Sequence, residues 1–377
     1  MGGLLVQEWI ERSGGSEKVF DAFAHAFPDA DLFTLWNDDP GRFGDRPVRE
    51  SWIARTPLRK RKPLALPFMP LTWSSLDLDA YEWTLSSSHL FAHHLGHGDR
   101  ATRQHVYVHS PARYLWTPDL DQRGANPLVK AAAPPLRALD RRRAQASHAD
   151  FAANSAFVQA RIRTAWDVDS RVIHPPVDAT AIRATASWEG ELTGPDAAVA
   201  ASLPESFLLG ASRFVPYKRL DLVIRAGEAA GVPVVLAGSG PLAEELRAQA
   251  DAARVPVTIV PRPSDALLYT LYQRALAYVF PAVEDFGIMP VEAMAAGARV
   301  LVTDVGGATE SVVDGVTGVH VHDWEGTADL ADAVARAAAL DPAASVRRSA
   351  DFDAAAFERR IASWVRHDGA RLDGAVA

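Results

Sequence analysis

Short apolar runs alternate with amphipathic segments through the second half of the chain. The runs are rich in valine, leucine and alanine, as in strands buried on both faces, whereas the segments between them repeat apolar residues at helical spacing. This alternation predicts a parallel, doubly wound sheet with helices on both faces. The predicted strands are Phe207–Ala211, Val232–Ala237, Val255–Val260, Ala275–Phe280, Arg299–Thr303 and Val319–Val321, and the predicted helices are Asp221–Ala230, Pro241–Ala253, Ser264–Gln273, Met289–Ala296 and Gly326–Leu340, with further helices in residues 343–366.

The first half is less regular, because tryptophan and proline are spread through it. Residues 179–205, which follow it, are poor in large aliphatic side chains, as in a linker that can contain a short helix at Pro195–Ser202. We therefore predict an α/β protein of two doubly wound domains, residues 1–178 and 206–350, followed by a C-terminal helical segment, 351–377. The predicted elements of the first half are strands at Leu4–Trp9, Trp83–Ser86, His105–Val108 and Arg171–Ile173, a glycine turn at residues 13–16, and helices at Ser16–Phe27 and Ser147–Val158.

Bulk composition narrows the class of protein without identifying a function. The chain has 377 residues, enough for two domains, and 39 Lys and Arg against 47 Asp and Glu give a net charge of −8, which argues against a nucleic-acid partner. Because there is no cysteine, disulfides, thiolate metal sites and a cysteine nucleophile are excluded. Neither a secretory signal nor a run of ~18 apolar residues is recognised, so a cytoplasmic enzyme or binding protein is expected.

Ligands of open parallel sheets bind at the carboxyl ends of the strands, so polar and glycine residues there are candidates for a site. Arg213 and Lys218 follow the strand Phe207–Ala211, where they can clamp a diphosphate or be solvated surface charges. Gly238 and Gly240 follow the next strand, where their backbone can approach an anion or form a plain turn. Spacing alone leaves these alternatives open.

The most informative segment contains two glutamates. Glu284 lies in the loop after the strand Ala275–Phe280, and Glu292 lies in the first turn of the next helix. A loop carboxylate can bind sugar hydroxyls, and one in the first helical turn can reach a ribose diol. The alternative is a surface acid and a helix-capping acid. In the first half, His109 ends a strand, where an imidazole can bind a substrate or be structural.

These segments, in this order, resemble the family 4 retaining glycosyltransferases, which have the GT-B fold of two Rossmann-like domains facing across a cleft. Glu284 and Glu292 match the family's two glutamates separated by seven residues, and residues 284–297 match the surrounding pattern almost throughout. The resemblance extends over nearly the whole chain. The other similar segments are residues 14–18, 86–89, 109–116, which resemble the family's His-Thr-Pro-Met-Arg-Tyr segment, 153–155, 172–178 and 212–219.

The resemblance implies a donor site in the C-terminal domain, and a C-terminal helix that crosses back to the N-terminal domain. Arg213 and Lys218 would neutralise the nucleotide diphosphate. Glu284 would hold the donor sugar and Glu292 the ribose, while His109 would approach the sugar from the N-terminal domain. The other implied donor-binding residues are Gly14, Gly15, Gly238, Gly240, Arg262, Asp285, Phe286, Gly287, Ile288 and Met289.

The resemblance also implies a metal-independent, front-face mechanism. The leaving diphosphate oxygen would help to deprotonate the acceptor hydroxyl, so no enzyme nucleophile is needed, and Arg213 and Lys218 would meet the developing charge. No metal is expected, because Arg213, Lys218 and the helix dipole would take the role that Mg²⁺ plays elsewhere. No cofactor is expected, because the nucleotide diphosphate sugar is a co-substrate. Asp77-Leu-Asp79 has the spacing of a metal motif but precedes Tyr81 in a turn.

The acceptor side departs from the family pattern. His93 and His94 stand where relatives commonly carry Ala-Lys-Gly, so they are either acceptor contacts or plain surface residues. The candidate acceptor contacts are Ser88, His89, His93, Arg113 and Tyr114.

The strongest positive run is Arg59, Lys60, Arg61 and Lys62, with apolar residues on both sides. It can lie against an anionic membrane or a lipid-diphosphate acceptor, which would place the protein at the inner face of the membrane. The alternative is a solvated loop.

The function expected from the resemblance is transfer of a hexose to a glycan, lipid-linked or small-molecule acceptor, with retention of configuration. Mannose from GDP-mannose is the first donor expected, in the assembly of surface polysaccharide. Two alternatives remain: a non-hydrolysing nucleotide-sugar epimerase, which needs no acceptor, and a catalytically silent nucleotide-sugar-binding subunit.

Overall fold

A computed structural model describes residues 2–12, 14–96, 101–118 and 127–366, with the side chains of 127–132 left out. The chain forms two compact units, Met1–Pro176 with Ala354–Ala377, and Val177–Asp353. Ser13 of the predicted glycine turn and residues 367–377 of the predicted C-terminal helix lie outside the described residues. None of the helices in the described ranges combines the length and the apolar content needed to cross a bilayer.

The first unit is built on a seven-stranded parallel sheet. Its strands are β1 (Gly2–Gln7), β2 (Asp31–Thr34), β3 (Val48–Glu50), β4 (Tyr81–Ser88), β5 (Arg103–Val108), β6 (Asp150–Ala153) and β7 (Arg171–Val172). They are hydrogen-bonded in the order β3-β2-β1-β4-β5-β6-β7, so the strand order reverses between β1 and β4. Alternate side chains of β1 enter two different cores: Leu4 and Val6 join one, and Leu5 joins the other.

Helices cover both faces of this sheet, and the last of them comes from the end of the described chain. That helix, residues Ala354–Arg366, places Phe357 against Phe23, with stacked rings whose centroids are 5.9 Å apart. The Trp364 indole N–H donates to Asp150 Oδ2 at 2.8 Å. The helices of this part of the chain are α1 (Gly15–Ala26), α2 (Lys62–Ala65), α3 (Met69–Ser74), α4 (Arg113–Trp116), α5 (Pro127–Ala146) and α6 (Ala156–Trp166).

The second unit is built on a six-stranded parallel sheet in the order β10-β9-β8-β11-β12-β13, which reverses between β8 and β11. All six strands predicted in the second half are confirmed. The strands are β8 (Leu208–Ala211), β9 (Val234–Gly238), β10 (Val257–Pro261), β11 (Ala277–Phe280), β12 (Val300–Thr303) and β13 (Gly318–Val321). The helices are α7 (Ala179–Ala184), α8 (Gly194–Ser202), α9 (Asp221–Ala230), α10 (Ala243–Ala252), α11 (Asp265–Arg274), α12 (Ile288–Ala295), α13 (Ala308–Ser311), α14 (Thr327–Ala338) and α15 (Pro342–Ser349), and the helix Ala354–Arg366 is α16.

The structure corrects the predicted linker at residues 179–205. This segment belongs to the second unit and contains α7 as well as α8, which confirms the short helix expected at Pro195–Ser202. Small side chains allow these helices to pack closely, so a shortage of large aliphatics did not mean exposure. The buried residues that they and the following turn add to the core are Ala179, Ile182, Ala200 and Leu203.

A second correction concerns the helix predicted at Ser147–Val158. Residues 150–153 instead form β6, which pairs with β5, and the helix begins only at Ala156, where Ser155 Oγ accepts from the Val158 N–H. Pairing with a buried central strand outweighed the local helical pattern. Strands β2 and β3 were not predicted, because both are short and β3 is largely exposed.

Candidate functional site

The two loops on either side of the strand reversal in the second sheet meet through an ion pair. Lys218, which ends the 3-10 turn Pro216–Lys218 after β8, places Nζ 2.5 Å from Oε1 of Glu284 in the loop after β11. Lys218 is 9% exposed, and the Glu284 side chain is 14% exposed. The ammonium also lies 5.2 Å from the centre of the Phe280 ring, within cation–π range. A cation and a carboxylate therefore sit together where such sheets bind ligands.

The other cations of the loop after β8 are exposed. Arg213 donates from Nη2 to the Tyr217 hydroxyl at 3.1 Å. Arg219, in the left-handed region with φ 50°, pairs with Asp221 at 2.9 Å. Arg213 can thus reach a ligand from the solvent side, whereas Lys218 is held at the edge of the sheet.

Close packing of the backbone explains why residues 238 and 240 are glycines. Their φ values are 142° and 157°, and a Cβ on Gly238 would lie 1.9 Å from the Ser212 carbonyl oxygen. A Cβ on Gly240 would lie 2.5 Å from the Phe214 carbonyl oxygen, and Phe214 N–H donates to Ser239 O at 2.8 Å. The two glycines therefore let the loops after β8 and β9 interlock, which fixes the backbone on both sides of Arg213.

Arg262 belongs to the same edge of the sheet. It follows β10, is exposed, has φ 48°, and its N–H donates to Gly238 O at 3.3 Å. Its backbone is thereby tied to the glycine loop while its guanidinium remains accessible.

The loop after β11 leads directly into helix α12. Gly287, with φ 89°, is the residue before the helix, which begins at Ile288. Asp285 and Phe286 are buried, and the Phe286 ring packs on Phe352 with centroids 5.5 Å apart. Ile288 and Met289 are half-buried at the start of the helix. The side chain of Phe286 thus serves packing, so only its backbone could contact a ligand.

Glu292 lies one residue further from the start of its helix than the sequence indicated. It is the fifth residue of α12, in the second turn, and is 8% exposed. Burial, and then the charges of Glu292 and Glu284, raise the pKa of Tyr278 well above its ordinary value, while the Tyr278 hydroxyl donates to Ala211 O at 3.0 Å. Both glutamates therefore act on one buried tyrosine that ties β11 to the end of β8.

Two glycines that sequence reasoning missed shape the Glu284 loop. Gly306 and Gly307 follow β12, and the Gly307 N–H donates to Glu284 O at 2.9 Å. A Cβ on Gly307 would lie 2.1 Å from the Asp285 carbonyl oxygen. Adjacent glycines in the loop after the predicted strand Arg299–Thr303 were the available signal.

In the first unit, the carboxyl ends of β1 and β4 carry a buried acid and a histidine. Glu8 Oε1 accepts from the N–H groups of Leu90 and Ala92 at 2.7 and 2.9 Å, and Oε2 lies 3.0 Å from His89 Nε2. Burial raises the pKa of Glu8 to about 8 despite these contacts. The sequence predicts His89 as a site residue but gives no signal for Glu8.

His109 follows β5 next to these groups. Its Nε2 lies 2.8 Å from Ser87 Oγ, and its ring centre is 6.2 Å from that of His89. Burial, and then the charge of Arg113, lower the pKa of His109 to about 4, so the imidazole is neutral at neutral pH. Arg113 and Tyr114, at the start of α4, are half-buried, and Tyr114 packs against the core.

At the start of α1, the two predicted glycines precede a buried acid. Gly14 is the residue before the helix and Gly15 its first residue. Glu17, 3% exposed, accepts from the Glu11 N–H at 3.2 Å and from Ser16 Oγ at 2.9 Å. A carboxylate thus already lies in the first turn of the helix, where an anion would otherwise be favoured.

His93 and Ser88 are not placed to contact an acceptor. This corrects the expectation that they are acceptor contacts. The side chains of His93 and His94 are fully buried, and their Nε2 atoms lie 2.9 and 3.1 Å from Asp140 Oδ1. Ser88 Oγ lies 3.3 Å from His93 Nδ1. Asp140 Oδ2 accepts from the indole N–H groups of Trp116 and Trp166 at 2.8 and 2.7 Å.

This buried network links β4, the 3-10 turn Ala92–His94, α4, α5 and α6 of the first unit. His93, His94 and Asp140 are of metal-ligand type and their ligand atoms lie close together. The four polar contacts of the carboxylate account for its burial without further ligands. Although burial opposes it, the contacts with His93 and His94 hold the pKa of Asp140 below its ordinary value.

Asp77-Leu-Asp79 and the basic run make their contacts within the first unit. Asp77 Oδ1 accepts from the Asp79 N–H at 3.0 Å, in a turn before β4. Three cations of the basic run face carboxylates of their own unit. These contacts are Arg59 with Asp38 at 3.1 Å and Glu50 at 3.5 Å, Lys60 with Asp38 at 3.1 Å, and Lys62 with Glu11 at 2.7 Å.

A family model and several known proteins are similar to parts of this chain. Residues 197–358 match the family model described as Glycosyl transferases group 1. Two curated relatives are each named D-inositol 3-phosphate glycosyltransferase. The one from Mycolicibacterium paratuberculosis is 35% identical over 186 residues, which are 46% of this chain and 40% of the relative. The one from Mycobacterium avium is 36% identical over 191 residues, 46% of this chain and 42% of the relative, so the match spans less than half of either relative.

Solved structures share the fold over nearly the whole chain. HepE from Anabaena in complex with UDP matches with a TM-score of 0.69 at 20% identity, covering 97% of this chain and 99% of that chain. Sucrose-phosphate synthase from Thermosynechococcus elongatus matches with a TM-score of 0.70 at 18% identity, covering 97% and 98%. The predicted fold class, two Rossmann-like α/β domains as in GT-B proteins, is confirmed.

Proposed function

We propose that the protein is a glycosyltransferase that takes a hexose from a nucleotide diphosphate sugar with retention of configuration. The observation that carries the proposal is the Lys218–Glu284 pair at the strand reversal, inside the segment that matches glycosyl transferases group 1. In a nucleotide sugar the hexose is bonded directly to the diphosphate. A cation for the phosphate and a carboxylate for the sugar hydroxyls should therefore be neighbours, as these two are.

The proposed roles are those that the resemblance to family 4 glycosyltransferases suggests for these positions. Lys218 would meet the charge that builds on the leaving diphosphate, with Arg213 reaching it from the solvent side. Glu284 would bind the hexose and Glu292 the ribose. The leaving oxygen would take the acceptor proton, so these residues bind and orient without forming a covalent bond. His109, neutral at neutral pH, would donate or accept a hydrogen bond rather than carry charge.

We also propose which donors and acceptors to test first. GDP-mannose is the first donor to test and UDP-glucose the second, because HepE has been crystallised with UDP-glucose. D-inositol 3-phosphate belongs among the acceptors, because it appears in the names of the curated relatives. We propose that neither a metal nor a cofactor takes part.

The test begins with a thermal-shift panel of nucleoside diphosphates and their sugars. A ligand at 100 times its Kd should stabilise the protein by about 2.7 kcal/mol. Mass spectrometry of reactions with candidate acceptors then detects the product. Lys218→Ala and Glu284→Ala should each reduce turnover by orders of magnitude in folded protein, and near-wild-type rates would contradict the proposal. Sugar conversion without any acceptor would favour the epimerase, and binding without conversion the silent subunit.

A further inference from the structure

The helical segment of residues 62–74 in the first unit is apolar on its solvent-facing side. It consists of α2, the 3-10 turn Leu66–Phe68 and α3, one after another. Leu64, Phe68 and Leu71 are 56%, 42% and 63% exposed. A surface helix is ordinarily polar on the side away from the core. The inward side chains of the same segment, Ala65, Met69 and Trp73, are fully buried, so both sides are apolar.

Trp52 extends this face from a preceding turn. It is 47% exposed, and its ring meets that of Phe68 edge to face at 6.0 Å. Half of the large apolar side chains that are exposed in the described ranges thus lie within residues 52–71. Tryptophan combines an apolar body with one polar N–H, which suits the boundary between lipid and water. We call Trp52, Leu64, Phe68 and Leu71 the apolar face.

The charge next to the apolar face is positive. Residues 51–76 contain five Lys and Arg and no Asp or Glu, in a chain of net charge −8. Of these five, Arg59, Lys60 and Lys62 are neutralised by carboxylates of the same unit. Arg55 and Arg61 are exposed, and no carboxylate of the described residues lies within 4 Å of them. Arg55 and Arg61 therefore carry the positive charge that is not neutralised, and they lie near the apolar face in the sequence.

We propose that the apolar face docks onto an anionic lipid bilayer. The four apolar side chains would enter the boundary between headgroups and acyl chains, and Arg55 and Arg61 would contact lipid phosphates. Exposed Trp, Phe and Leu beside unpaired cations are the composition of interfacial helices. The sequence predicted a membrane contact through Arg59–Lys62. Because carboxylates neutralise Arg59, Lys60 and Lys62, we assign the contact to the apolar face with Arg55 and Arg61 instead. The proposal is independent of the transferase activity.

Co-sedimentation of the full chain with vesicles tests it. The wild type should sediment with phosphatidylcholine vesicles that contain phosphatidylglycerol, and much less with phosphatidylcholine alone. Leu64→Gln/Phe68→Gln should weaken the partition by more than about tenfold, because two large apolar side chains no longer enter the bilayer. Arg55→Ser/Arg61→Ser should weaken it by about tenfold or more at low salt. Val316→Gln, at a 51% exposed position of the second unit, is the matched control and should bind as the wild type does.

Three results would overturn the proposal. The wild type could fail to sediment with anionic vesicles, or Leu64→Gln/Phe68→Gln could sediment as well as it does. In the third result, the wild type does not bind vesicles, and light scattering without lipid shows a dimer that Leu64→Gln/Phe68→Gln separates. The apolar face would then be an interface between two copies of the chain. Leu71→Gln, a single change at the most exposed position, repeats the vesicle test with the least effect on folding, which circular dichroism confirms.

Discussion

Lys218 and Glu284 reach each other from two loops that the order of the strands makes neighbours. Their strands, β8 and β11, are adjacent in the sheet but far apart in the chain. Because both side chains are largely buried, each charge depends in part on the other for its stabilisation.

A double-mutant cycle should show this dependence. Lys218→Met and Glu284→Gln should each lower the free energy of unfolding by about 1–3 kcal/mol, because each removes one partner of a largely buried ion pair. The double variant should lose less than the sum, with a coupling of about 1–3 kcal/mol by urea unfolding. The exposed pair Arg219→Met and Asp221→Asn is the control, with coupling below about 1 kcal/mol. Equal coupling energies in the two pairs would contradict the inference that burial strengthens the Lys218–Glu284 pair.

Gly307→Ala should disturb the site through the backbone. The added Cβ would collide with the Asp285 carbonyl oxygen at 2.1 Å, so the Glu284 loop must shift. We expect stability to fall by about 1–3 kcal/mol and donor binding to weaken with it. Gly190→Ala, where nothing lies within 4 Å of the new Cβ, should change neither. Unchanged ligand-induced thermal shifts in Gly307→Ala would refute the role assigned to this glycine.

Asp140→Asn should destabilise the first unit strongly. The amide cannot accept from two histidines and two indoles as the carboxylate does, so buried donors lose their partner. The expected loss is about 3 kcal/mol or more by denaturant titration. Asp169→Asn removes a carboxylate that is 99% exposed and should cost less than about 0.5 kcal/mol. A similarly small loss for Asp140→Asn would mean that the network is not structural.

Glu8→Gln should change how stability depends on pH. The folded pKa of Glu8, about 8, lies above its ordinary value of 4.5, so its contribution is full below pH 4.5 and is lost as the pH rises through 8. Glutamine does not titrate and can still accept from Leu90 and Ala92. The stability of Glu8→Gln relative to wild type should therefore rise between pH 4.5 and 8, measured by urea midpoints. A difference between Glu8→Gln and wild type that does not change with pH would contradict the raised pKa of Glu8.

His94 should limit stability on the acid side. Burial, and then the charge of His93, lower the pKa of His94 to about 3, below its ordinary value of 6.5. The unfolded chain therefore binds the proton first, and stability falls as the pH drops from 6.5 towards 3. In His94→Gln this acid-side slope should be smaller, and an unchanged slope would assign it to other groups.

Much of the second unit could be predicted because its strands are uninterrupted apolar runs. The same pattern put Lys218 and Glu284 after strands, although only the strand order brings them into contact. Burial was harder to predict, since His93 and Ser88 look polar in sequence but are enclosed by α5 and α6. The partners of the basic run come from residues 11, 38 and 50, so the loss of its charge depends on tertiary structure.

Calorimetric titration with the nucleoside diphosphate that gives the largest thermal shift tests the central claim most directly. The wild type should bind it, and Lys218→Met should weaken binding at least about tenfold, because a charge-assisted contact contributes about 1.5–3 kcal/mol. Arg219→Met, one residue further along but paired with Asp221, should stay within about twofold. Equal affinity in the wild type and Lys218→Met, or no binding of any nucleoside diphosphate by the wild type, would contradict the account.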